Sequence, residues 1–554
     1  MLNGRKIVSL CTTRLNEVEN CRFITELNKG LNKANASLFV YNINTEMYWS
    51  DDNIRAEAAV FGLVDYSITD VVVVMYEKIK NRSIAEKIIS DARSHNIPIV
   101  IADAEYEGCI SISFDYKNGF ETIVRHVIEH HGVKRPHMMA GIKDNPFSDE
   151  RIEAFKKVIE ENGIPFSQEM VSYGEFWAQP CRNAMEELLA SGRDVPEAII
   201  CANDIMAINV CSVLNGHGYK VPDDVIVTGF DGIDEINLFI PRITSSYCGS
   251  AGMAPDMVKL ITDILDEKEV AEVNLVEPEL LINRSCGCRC DTEESPDDIF
   301  GFNNRFYRYQ DDFQTYFNMS EGMIGSDTLE SCAQKMFDME IDDVTVIINK
   351  KLTDFTQNHF TDTSRRKFNE DMFIFYESDR AVFSQQDFKR SRIVPNLDQL
   401  MSYGSPLVFN VIAFMNVPIG YICFHLPKFD ISDYCKIPQL VNSIGSGVGG
   451  FINTRYQHYL TERIEKMYKY DSLTNLYNRL SFNNEFEKMK RSFEGRKVPL
   501  NVILIDLDGL KYINDNYGHG AGDNAIRVIA TALKEACPDD ALCVRFGGDE
   551  MLAV

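Results

Sequence analysis

The first half of the chain alternates short apolar runs, rich in β-branched residues, with stretches whose apolar positions recur every three or four residues. The segments that set this pattern are KIVSL, FITELNKGLNKA, ASLFVYNI, DVVVVMY, SIAEKIISDARSHN and IPIVIAD, followed further on by PHMMAGI, AIICAND and VIVTGFD. Uniformly apolar strands separated by amphipathic helices predict a parallel sheet with helices on both faces. In such a sheet ligands bind beyond the carboxyl ends of the strands, where polar and glycine residues follow here.

The pattern changes after residue 290. DTEESPDD is an acidic, proline-containing stretch that predicts a linker, and NRFYRYQDDFQTYFNMSEGM and TLESCAQKMFD then predict helices. Strands are expected at DVTVIIN and DMFIFYE. A helix-flanked antiparallel sheet of this kind resembles GAF- or PAS-type sensory modules, and it predicts an α+β middle domain over residues 291–434.

The segment LVFNVIAFMNVPIGYICFHL contains no Asp, Glu, Lys or Arg and is long enough for a membrane span. Asn410, Asn416, Pro418 and Gly420 interrupt it. They favour two strands joined in a hairpin around NVPIG over a membrane helix.

A long helix is predicted from Ile437 to Tyr470. An apolar stripe recurs at three- and four-residue steps along it, at Val441, Ile444, Val448, Phe451, Ile464 and Met467. The stripe is consistent with a dimer seam. The alternative is a packed core helix with a flexible middle, because four glycines between residues 445 and 450 each weaken a helix by up to about 1 kcal/mol.

The last segment places carboxylates at two strand ends. Val502–Ile505 predicts a buried strand that leads into Asp506, and from Tyr512 onward a polar loop is expected to turn into the helix AIRVIATALKEA. Leu542–Phe546 predicts a strand beside the first one that ends in the GGDE turn. This pairing would bring Asp549 and Glu550 close to Asp506. Carboxylate oxygens on neighbouring strand ends are suited to Mg²⁺, which leaves coordination positions open for phosphates.

Composition limits the partners. The 554 residues suggest three or four domains, and the formal charge of −27 disfavours non-specific binding to nucleic acid or anionic membrane. Fifteen cysteines scattered among apolar residues predict reduced thiols in a cytoplasmic protein. Cys286, Cys288 and Cys290 lie close together in the sequence, but zinc sites need four ligands and no second cysteine cluster follows. The sequence therefore favours an ordinary end of the first domain over a metal site.

DSLTNLYNR, DLDGLKYINDNYGHGAGD and GGDE, in this order and spacing, resemble the GGDEF domain of diguanylate cyclases, which condense two GTP molecules into cyclic di-GMP. The resemblance implies Asp506, Asp549 and the carbonyl of Leu507 as ligands of Mg²⁺ or Mn²⁺, with Glu550 assisting at the metal or the attacking hydroxyl. It implies nucleotide contacts from the following residues: Asn514, Asp523, Lys511, His519, Gly547 and Gly548. Two domains must meet face to face, which implies a homodimer. For Asp523 a helix cap, and for His519 a purely structural loop contact, remain alternatives.

Three departures from the GGDEF pattern are present. Met551 replaces the usual phenylalanine, which should alter packing more than chemistry. The inhibitory RxxD motif is replaced by residues 538–541, PDDA, which implies no product inhibition through that site. The domain is expected to be about twice as long as the stretch from Asp471 to Val554, which implies a C-terminally truncated unit lacking the downstream phosphate-binding residues.

A second resemblance covers Arg5 to about Cys288. PEAIICANDIMAINVCSVLNGHGYKVPDDVIVTGFDGIDEINLFIPRITS and ELLINRSCGC resemble the ligand-binding core of the lac repressor-type sensor family, here expected without its helix-turn-helix. The resemblance implies sugar-like ligand contacts from Arg151, Trp177, Asn203 and Asp231. The alternatives are that Asn203 and Asp231 cap helices and that Trp177 belongs to the core.

Together these patterns predict an α/β protein with four parts. These are a two-lobed, parallel-sheet, periplasmic-binding-protein-like sensor (1–290), a GAF/PAS-like α+β middle domain (291–434), a signalling helix (435–467) and a partial, cyclase palm-like α/β GGDEF domain (468–554). The predicted function is a cytoplasmic, ligand-regulated diguanylate cyclase that binds GTP and neither DNA nor membrane. The alternative is a catalytically incomplete GGDEF protein that acts as a ligand- or nucleotide-binding module.

Overall fold

The computed structural model describes residues 4–47, 55–289, 311–339, 341–361, 367–378, 383, 386–426, 431–495, 497 and 499–554. They form two compact units. The larger unit comprises Met1–Leu352 and Phe360–Phe451, and the smaller comprises Thr353–His359 and Ile452–Val554.

The first lobe of the larger unit is built on six parallel strands. They are β1 (Lys6–Thr13), β2 (Ala36–Ile43), β3 (Val71–Met75), β4 (Ile99–Ala102), β5 (Ile110–Phe114) and β11 (Val273–Val276), in the order β11-β5-β4-β3-β1-β2. The helices of this lobe are α1 (Val18–Lys33), α2 (Tyr76–Ile79), α3 (Arg82–Ser94) and α8 (Ser250–Leu265). Strands β1 to β4 are almost wholly buried, as their uniformly apolar sequences predict.

The second lobe carries its own parallel sheet. Its strands are β6 (Pro136–Ala140), β7 (Val171–Tyr173), β8 (Ala198–Cys201) and β9 (Ile226–Thr228), in the order β7-β6-β8-β9. Its helices are α4 (Tyr116–Arg125), α5 (Pro146–Glu161), α6 (Ala178–Ala190) and α7 (Asp204–Gly216), and a two-stranded sheet pairs β10 (Ser245–Tyr247) with β12 (Glu279–Leu281). The predicted two-lobed parallel-sheet sensor is thereby confirmed.

The middle region of the chain is antiparallel, as predicted. Its strands are β13 (Val344–Asn349), β14 (Asp371–Glu377), β15 (Gln386–Lys389), β16 (Leu407–Phe414) and β17 (Val417–Phe424), in the order β16-β17-β13-β14-β15. Its helices are α9 (311–324), α10 (Leu329–Phe337), α11 (Leu397–Ser402) and α12 (Ile431–Tyr434). Strands β16 and β17 form the predicted hairpin, and among the described residues no helix has the length and apolar character needed to cross a membrane. The predicted linker DTEESPDD lies outside the described residues.

The sensor sheet and the middle sheet are continuous. Strand β16 pairs in parallel with β2, with Leu407 opposite Phe39 and Phe409 opposite Tyr41, so that one sheet of eleven strands results. The buried Asn410 amide donates to the carbonyl oxygen of Asn42 at 3.1 Å, which extends the junction beyond the paired residues. The sequence predicts two separate sheets and gives no sign that their edges meet.

The long helix is α13 (Ile437–Lys469), close to its predicted bounds. In its first half, Val441, Ile444 and Phe451 are buried. The glycines there have a packing role: a Cβ on Gly445 would lie 2.5 Å from the carbonyl oxygen of Ala413 in β16, and one on Gly447 would lie 2.5 Å from the sulfur of Met323 in α9. The glycines allow close approach of the helix to the middle sheet, which supports the packed-helix alternative for the first half of α13.

The smaller unit contains a four-stranded sheet in the order β18-β20-β21-β19. Its strands are β18 (Tyr477–Asn478), β19 (Ile503–Ile505), β20 (Cys543–Gly547) and β21 (Glu550–Ala553), and its helices are α14 (Arg479–Ser492), α15 (Leu510–Tyr517) and α16 (His519–Ala536). The predicted helix AIRVIATALKEA is confirmed as part of α16. The residues before it, from Tyr512 onward, lie mostly in α15 and the first turns of α16 and do not form the predicted loop.

Two predictions about these strands are wrong. Strand β19 is not buried: 52% of Ile503 and 72% of Leu504 is exposed, because β19 is the outer strand and β21 is its only partner in the described sheet. Strand β20 does not lie beside β19 either, because β21 folds back between them. The two strands of a tight hairpin are neighbours in the sheet, so a third strand pairs with one of their outer edges. The sequence prediction did not take this into account.

Gly445→Ala should lower the stability of the larger unit by about 1–3 kcal/mol, because the added methyl meets the Ala413 backbone. Helix propensity alone would act in the opposite direction by about 1 kcal/mol. The midpoint of urea unfolding of the full chain, monitored by hydrogen exchange of the α13 amides, measures the change in stability. Ser446→Ala, on the exposed face of the same helix, is the matched control and should shift the midpoint little. An unchanged or higher midpoint for Gly445→Ala would contradict the packing role.

Candidate functional site

The smaller unit presents the GGDE segment as the tip of the β20–β21 hairpin. Gly547 pairs with Glu550, so Gly548 and Asp549 form the turn. Strand β21 also pairs with β19, with Met551 opposite Ile505. The next residues along these two antiparallel strands are Glu550 and Asp506, and they leave the sheet at the same edge.

The residues behind the tip are apolar and packed. Met551 is fully buried and lies in a cluster with Leu476, Ile526 and Ala530. Asp506 and Glu550 are exposed, and Asp549 is half-buried. The replacement of phenylalanine by methionine therefore lies in the core, whereas the carboxylates face solvent.

Arg545 fixes the turn, a role the sequence analysis did not identify. Its Nε and Nη2 donate to the carbonyl oxygen of Gly548 at 3.1 and 2.5 Å, and its Nη1 donates to Oδ1 of Asp471 at 2.9 Å. Partial burial disfavours the Asp471 carboxylate, but hydrogen bonds from Thr474 and Arg545 outweigh it, and the pKa of Asp471 is lowered. Part of the signal was available in the sequence, since Asp471 opens the motif DSLTNLYNR and Arg545 lies two residues before GGDE.

The same motif holds the end of the long helix. Asn478 caps α14 by accepting a hydrogen bond from the Ser481 amide at 2.9 Å, and its side-chain nitrogen donates to the carbonyl oxygen of Tyr468 at 2.8 Å. The hydroxyl of Ser481 donates to the carbonyl oxygen of Lys469 at 2.6 Å. The segment from Asp471 to Ser481 thus connects the last turn of α13 to the GGDE turn through side-chain hydrogen bonds.

The predicted nucleotide-binding residues lie on α15 and α16. Asn514, on α15, has a buried Oδ1 without a hydrogen-bond partner among the described residues. A Cβ on Gly522 would clash with this oxygen, so glycine is required for the side chain to occupy that position. Lys511 is exposed on α15, and His519 is the exposed first residue of α16. Asp523 is exposed inside α16, whose N-cap is Gly518, so the helix-cap alternative for Asp523 is wrong.

In the sensor, Arg151 and Asp231 face each other. Nη2 of Arg151 lies 4.0 Å from Oδ1 of Asp231, and the guanidinium lies over the ring of Phe230 at 4.7 Å from its centroid. Phe176 is on another side, at 5.6 Å from the guanidinium. Burial raises the pKa of Asp231 to about 6, although Arg151 opposes the shift. The structure brings these two predicted residues together and adds two aromatic rings that the sequence analysis missed.

A buried carboxylate shapes the Asp231 loop. Asp204 accepts hydrogen bonds from the amides of Gly232 and Ile233 at 2.6 and 2.9 Å and from the Ser245 hydroxyl at 2.6 Å. Burial raises the pKa of Asp204 to about 8 despite these bonds. Asp231 precedes the backbone that Asp204 holds and has a φ of 107°. The helical turn that follows, residues 234–237, has Ile233 at its N-cap and no side-chain cap. The helix-cap alternative for Asp231 is therefore wrong.

Asn203 and Trp177 have different environments. Asn203 caps α7 by accepting a hydrogen bond from the Met206 amide at 2.9 Å, as its structural alternative predicts, and its amide nitrogen donates to the carbonyl oxygen of Phe176 at 3.1 Å. Trp177 is 65% exposed at the start of α6, so it is not a core residue. Asn203 thus orders the segment that carries both aromatic residues.

Asp103, which follows β4 of the first lobe, faces Tyr116 at the start of α4 in the second lobe. The hydroxyl of Tyr116 donates to Oδ1 of Asp103 at 3.3 Å, and the ring of Tyr116 lies 6.4 Å from that of Phe230. Burial raises the pKa of Asp103 above its ordinary value. Aromatic faces, an arginine and two carboxyl groups therefore lie close together where the two lobes meet, and we call this group the cleft. Its composition is suited to a small polar ligand with apolar faces.

Comparison with protein families finds two matches. Residues 468–554 match the model described as "Diguanylate cyclase, GGDEF domain", and residues 124–286 match "Periplasmic binding protein-like domain". The chain therefore contains a GGDEF domain and a periplasmic-binding-protein-like domain, as the sequence predicts.

Similar curated proteins match the sensor. The HTH-type transcriptional repressor PurR of Photobacterium profundum is 28% identical over 197 residues, which cover 35% of this chain and 58% of that protein. PurR of Mannheimia succiniciproducens is 30% identical over 137 residues, 24% of this chain and 41% of that protein. The chain spans about half the length of these relatives.

Among solved structures, similarity is found to the lac repressor dimer bound to operator and the anti-inducer ONPF, at 18% identity and a TM-score of 0.40, covering 51% of this chain and 96% of that one. A transcriptional regulator CelR–cellobiose complex is 22% identical with a TM-score of 0.39, covering 51% and 85%.

Asp471→Asn should destabilise the GGDE hairpin by about 1 kcal/mol at neutral pH, because it removes the charge that pairs with Arg545. The folded pKa of Asp471 is lowered, so its contribution is complete above the ordinary carboxyl range and is lost as pH falls through the folded value. Hydrogen exchange of residues 543–553 at neutral and acidic pH measures the difference. Asp539→Asn, at an exposed position, is the control. A destabilisation independent of pH would contradict the ion pair.

Proposed function

We propose that this protein is a ligand-regulated diguanylate cyclase, in which the two-lobed sensor binds a small molecule and the GGDEF domain converts two GTP molecules into cyclic di-GMP. The observation that carries the proposal is the β19–β21 register, in which Asp506 and Glu550 follow the pair of Ile505 and Met551 beside the GGDE turn. The family match over residues 468–554 supports the same activity.

The donor set at this edge fits Mg²⁺ or Mn²⁺. Asp506, Asp549 and the Leu507 carbonyl supply oxygen atoms only, and Asp506 is exposed, so coordination positions remain for water and phosphate. A bound ion would neutralise phosphate charge and favour deprotonation of the ribose hydroxyl. Glu550, one residue from Asp549 along the hairpin, is proposed to assist at the ion or to accept the proton of the attacking hydroxyl.

The remaining residues bind and orient GTP in this proposal. Asn514 and Asp523 meet the guanine edge. Oδ1 of Asn514 has no partner among the described residues, so it can accept a hydrogen bond from a guanine N–H group. Lys511 and His519 lie near the nucleotide, and Gly547 and Gly548 let a phosphate or base approach the backbone because they lack Cβ atoms. In each of two successive steps, a 3′-hydroxyl forms a bond to the α-phosphate of the other GTP, and the bond to pyrophosphate breaks.

Catalysis of this kind requires two GGDEF domains, and α13 offers a surface for dimerisation. Ile464, Met467 and Tyr468 are 64%, 72% and 53% exposed and share one helical face by their spacing. Exposed apolar residues at this spacing are suited to a parallel seam with a second copy. The hydrogen bonds of Asn478 and Ser481 then tie the end of that seam to the domain that carries the active site.

The sensor ligand is proposed to be sugar-like. Arg151 and Asp231 offer charged hydrogen-bonding groups, and Nε of Arg151 is buried without a partner among the described residues. Trp177 is exposed next to Phe176 and can pack on an apolar sugar face. Ligand binding would change the population of dimers with aligned active sites. We place the protein in the cytoplasm, in keeping with the free thiols of the described cysteines, and infer no DNA or membrane partner.

The full chain incubated with GTP and Mg²⁺ should form cyclic di-GMP, measured by chromatography with mass detection. Asp549→Asn should reduce the rate by at least about 100-fold, because it removes charge at the reacting phosphates. Asp539→Asn, an exposed carboxylate beyond α16, should leave the rate unchanged. If the unmodified chain binds GTP but forms no product, the GGDEF domain serves as a binding module and the enzyme proposal is wrong.

A panel of neutral mono- and disaccharides should contain at least one compound that raises the melting temperature of the full chain. Arg151→Ala should abolish that shift, because it removes the guanidinium from the cleft. Arg193→Ala, an exposed arginine of the same lobe, is the matched control and should retain it. No shift with any sugar would contradict the sugar-like ligand, and equal cyclase rates with and without a binding sugar would contradict regulation.

A further inference from the structure

Two histidines and two cysteines of the sensor converge at one point. His126 and His131 lie at the end of the helix that continues α4, and Cys286 and Cys288 lie where the described part of the sensor ends. One ligand atom from each of the four lies within 4.8 Å of all the others, and among the described residues this is the group of histidine, cysteine and acidic side chains assembled closely enough to hold a metal ion. Cys290 lies outside the described residues.

Four separations between these ligand atoms are close to those around a four-coordinate ion. Nε2 of His131 lies 3.3 Å from Nε2 of His126, and Nε2 of His126 lies 3.4 Å from Sγ of Cys286. Sγ of Cys288 lies 3.7 Å from Nε2 of His126 and 3.5 Å from Nε2 of His131. A tetrahedral zinc ion at about 2.05 Å from nitrogen and about 2.3 Å from sulfur sets its ligands about 3.3 Å apart for two nitrogens and about 3.5 Å apart for nitrogen and sulfur.

The helix geometry supports the same conclusion. In an α-helix, residues five apart point about 140° away from each other. Residues His126–His130 instead form a π-helical turn, and its wider turn brings His126 and His131 to one side. Their rings are nearly perpendicular with centroids 4.9 Å apart, so both Nε2 atoms can point to a common centre. π-helical turns are rare and recur at functional sites. A helix can end without one, so its presence here is consistent with a role for the two histidines.

The cysteine loop is held in place independently of any ion. The buried hydroxyl of Ser285 donates to the carbonyl oxygen of Val227 at 2.6 Å and accepts a hydrogen bond from the Thr244 amide at 2.8 Å. Gly287, between the two cysteines, has a φ of +92°, a conformation that favours glycine. Neighbouring secondary structure thus fixes the backbone on both sides of Cys286, so that Cys286 and Cys288 project toward the histidines.

We propose that His126, His131, Cys286 and Cys288 bind one Zn²⁺ ion in a closed, structural site. Two thiolates and two imidazoles are a donor set that tetrahedral zinc takes in proteins, and all four positions are filled by the chain, which leaves none for a substrate. Cys286 is 1% exposed and Cys288 is partly exposed, so the ion would be shielded yet have an entry path. The proposal is independent of the cyclase activity.

The consequence is a mechanical connection at the end of the sensor. The histidines follow α4, which packs in the core of the second lobe. The cysteines lie at the end of the sensor sequence, and the middle domain follows them along the chain. A bound ion would fix residues 284–289 to that lobe. Because both thiols must be deprotonated, binding releases protons and is lost in acid or with a chelator.

The test uses the full chain, purified without a polyhistidine tag under reducing conditions. Elemental analysis should find about one zinc per chain, and His131→Asn and Cys288→Ser should each reduce it below about 0.1. His130→Asn and Cys435→Ser are the matched controls, since neither residue belongs to the group of four, and both should retain the metal. Removal of zinc by a chelator should increase hydrogen exchange at residues 284–289.

Cobalt substitution decides the case if the variants do not fold. Wild-type protein loaded with Co²⁺ should show the strong visible absorption of a tetrahedral ion together with thiolate-to-cobalt charge transfer. A metal-free wild-type chain that takes up neither zinc nor cobalt would overturn the proposal. So would an octahedral spectrum without charge transfer, or a Cys286–Cys288 disulfide in the freshly purified reduced protein.

Discussion

The pairing of β2 with β16 is the constraint on which the larger unit depends. The outer strand of an open parallel sheet exposes a row of amide and carbonyl groups, and in this sheet β16 pairs with that edge. The sensor and the middle sheet consequently share one hydrogen-bonded framework, with Asn410 extending it beyond the ladder. A displacement of β2 therefore has to be accommodated by β16, because hydrogen bonds and buried side chains join them.

The first half of the long helix packs against this framework. Its glycines let α13 approach β16 and α9 closely, so the first half of the helix is packed against the same sheet that continues the sensor. Its last residues accept hydrogen bonds from Asn478 and Ser481. From there, Asp471 binds Arg545, which holds the carbonyl of Gly548 in the GGDE turn. Within the smaller unit, hydrogen bonds therefore connect the end of α13 to the GGDE turn.

Polar groups that are buried in the sensor set its loops. Asp204 orders the backbone that presents Asp231, and Ser285 orders the backbone that presents Cys286. In both places a short side chain satisfies main-chain groups that the turn leaves unpaired, and the backbone it holds adjoins Asp231 in one case and Cys286 in the other. The cleft and the proposed zinc site are therefore built by the same means, although they lie on different loops.

The sequence by itself determined the elements and the domain types. Its apolar periodicity predicted the sensor strands, the hairpin of residues 407–426 and the bounds of α13, because burial and side-chain period are local properties of the chain. The motifs around Asp506 and Asp549 indicated the GGDEF domain. Only the tertiary structure decided which edges pair, why the α13 glycines are present, that β21 separates β20 from β19, and that His126 meets Cys286. Each of these depends on residues far apart in sequence, whose approach is governed by packing that no local pattern records.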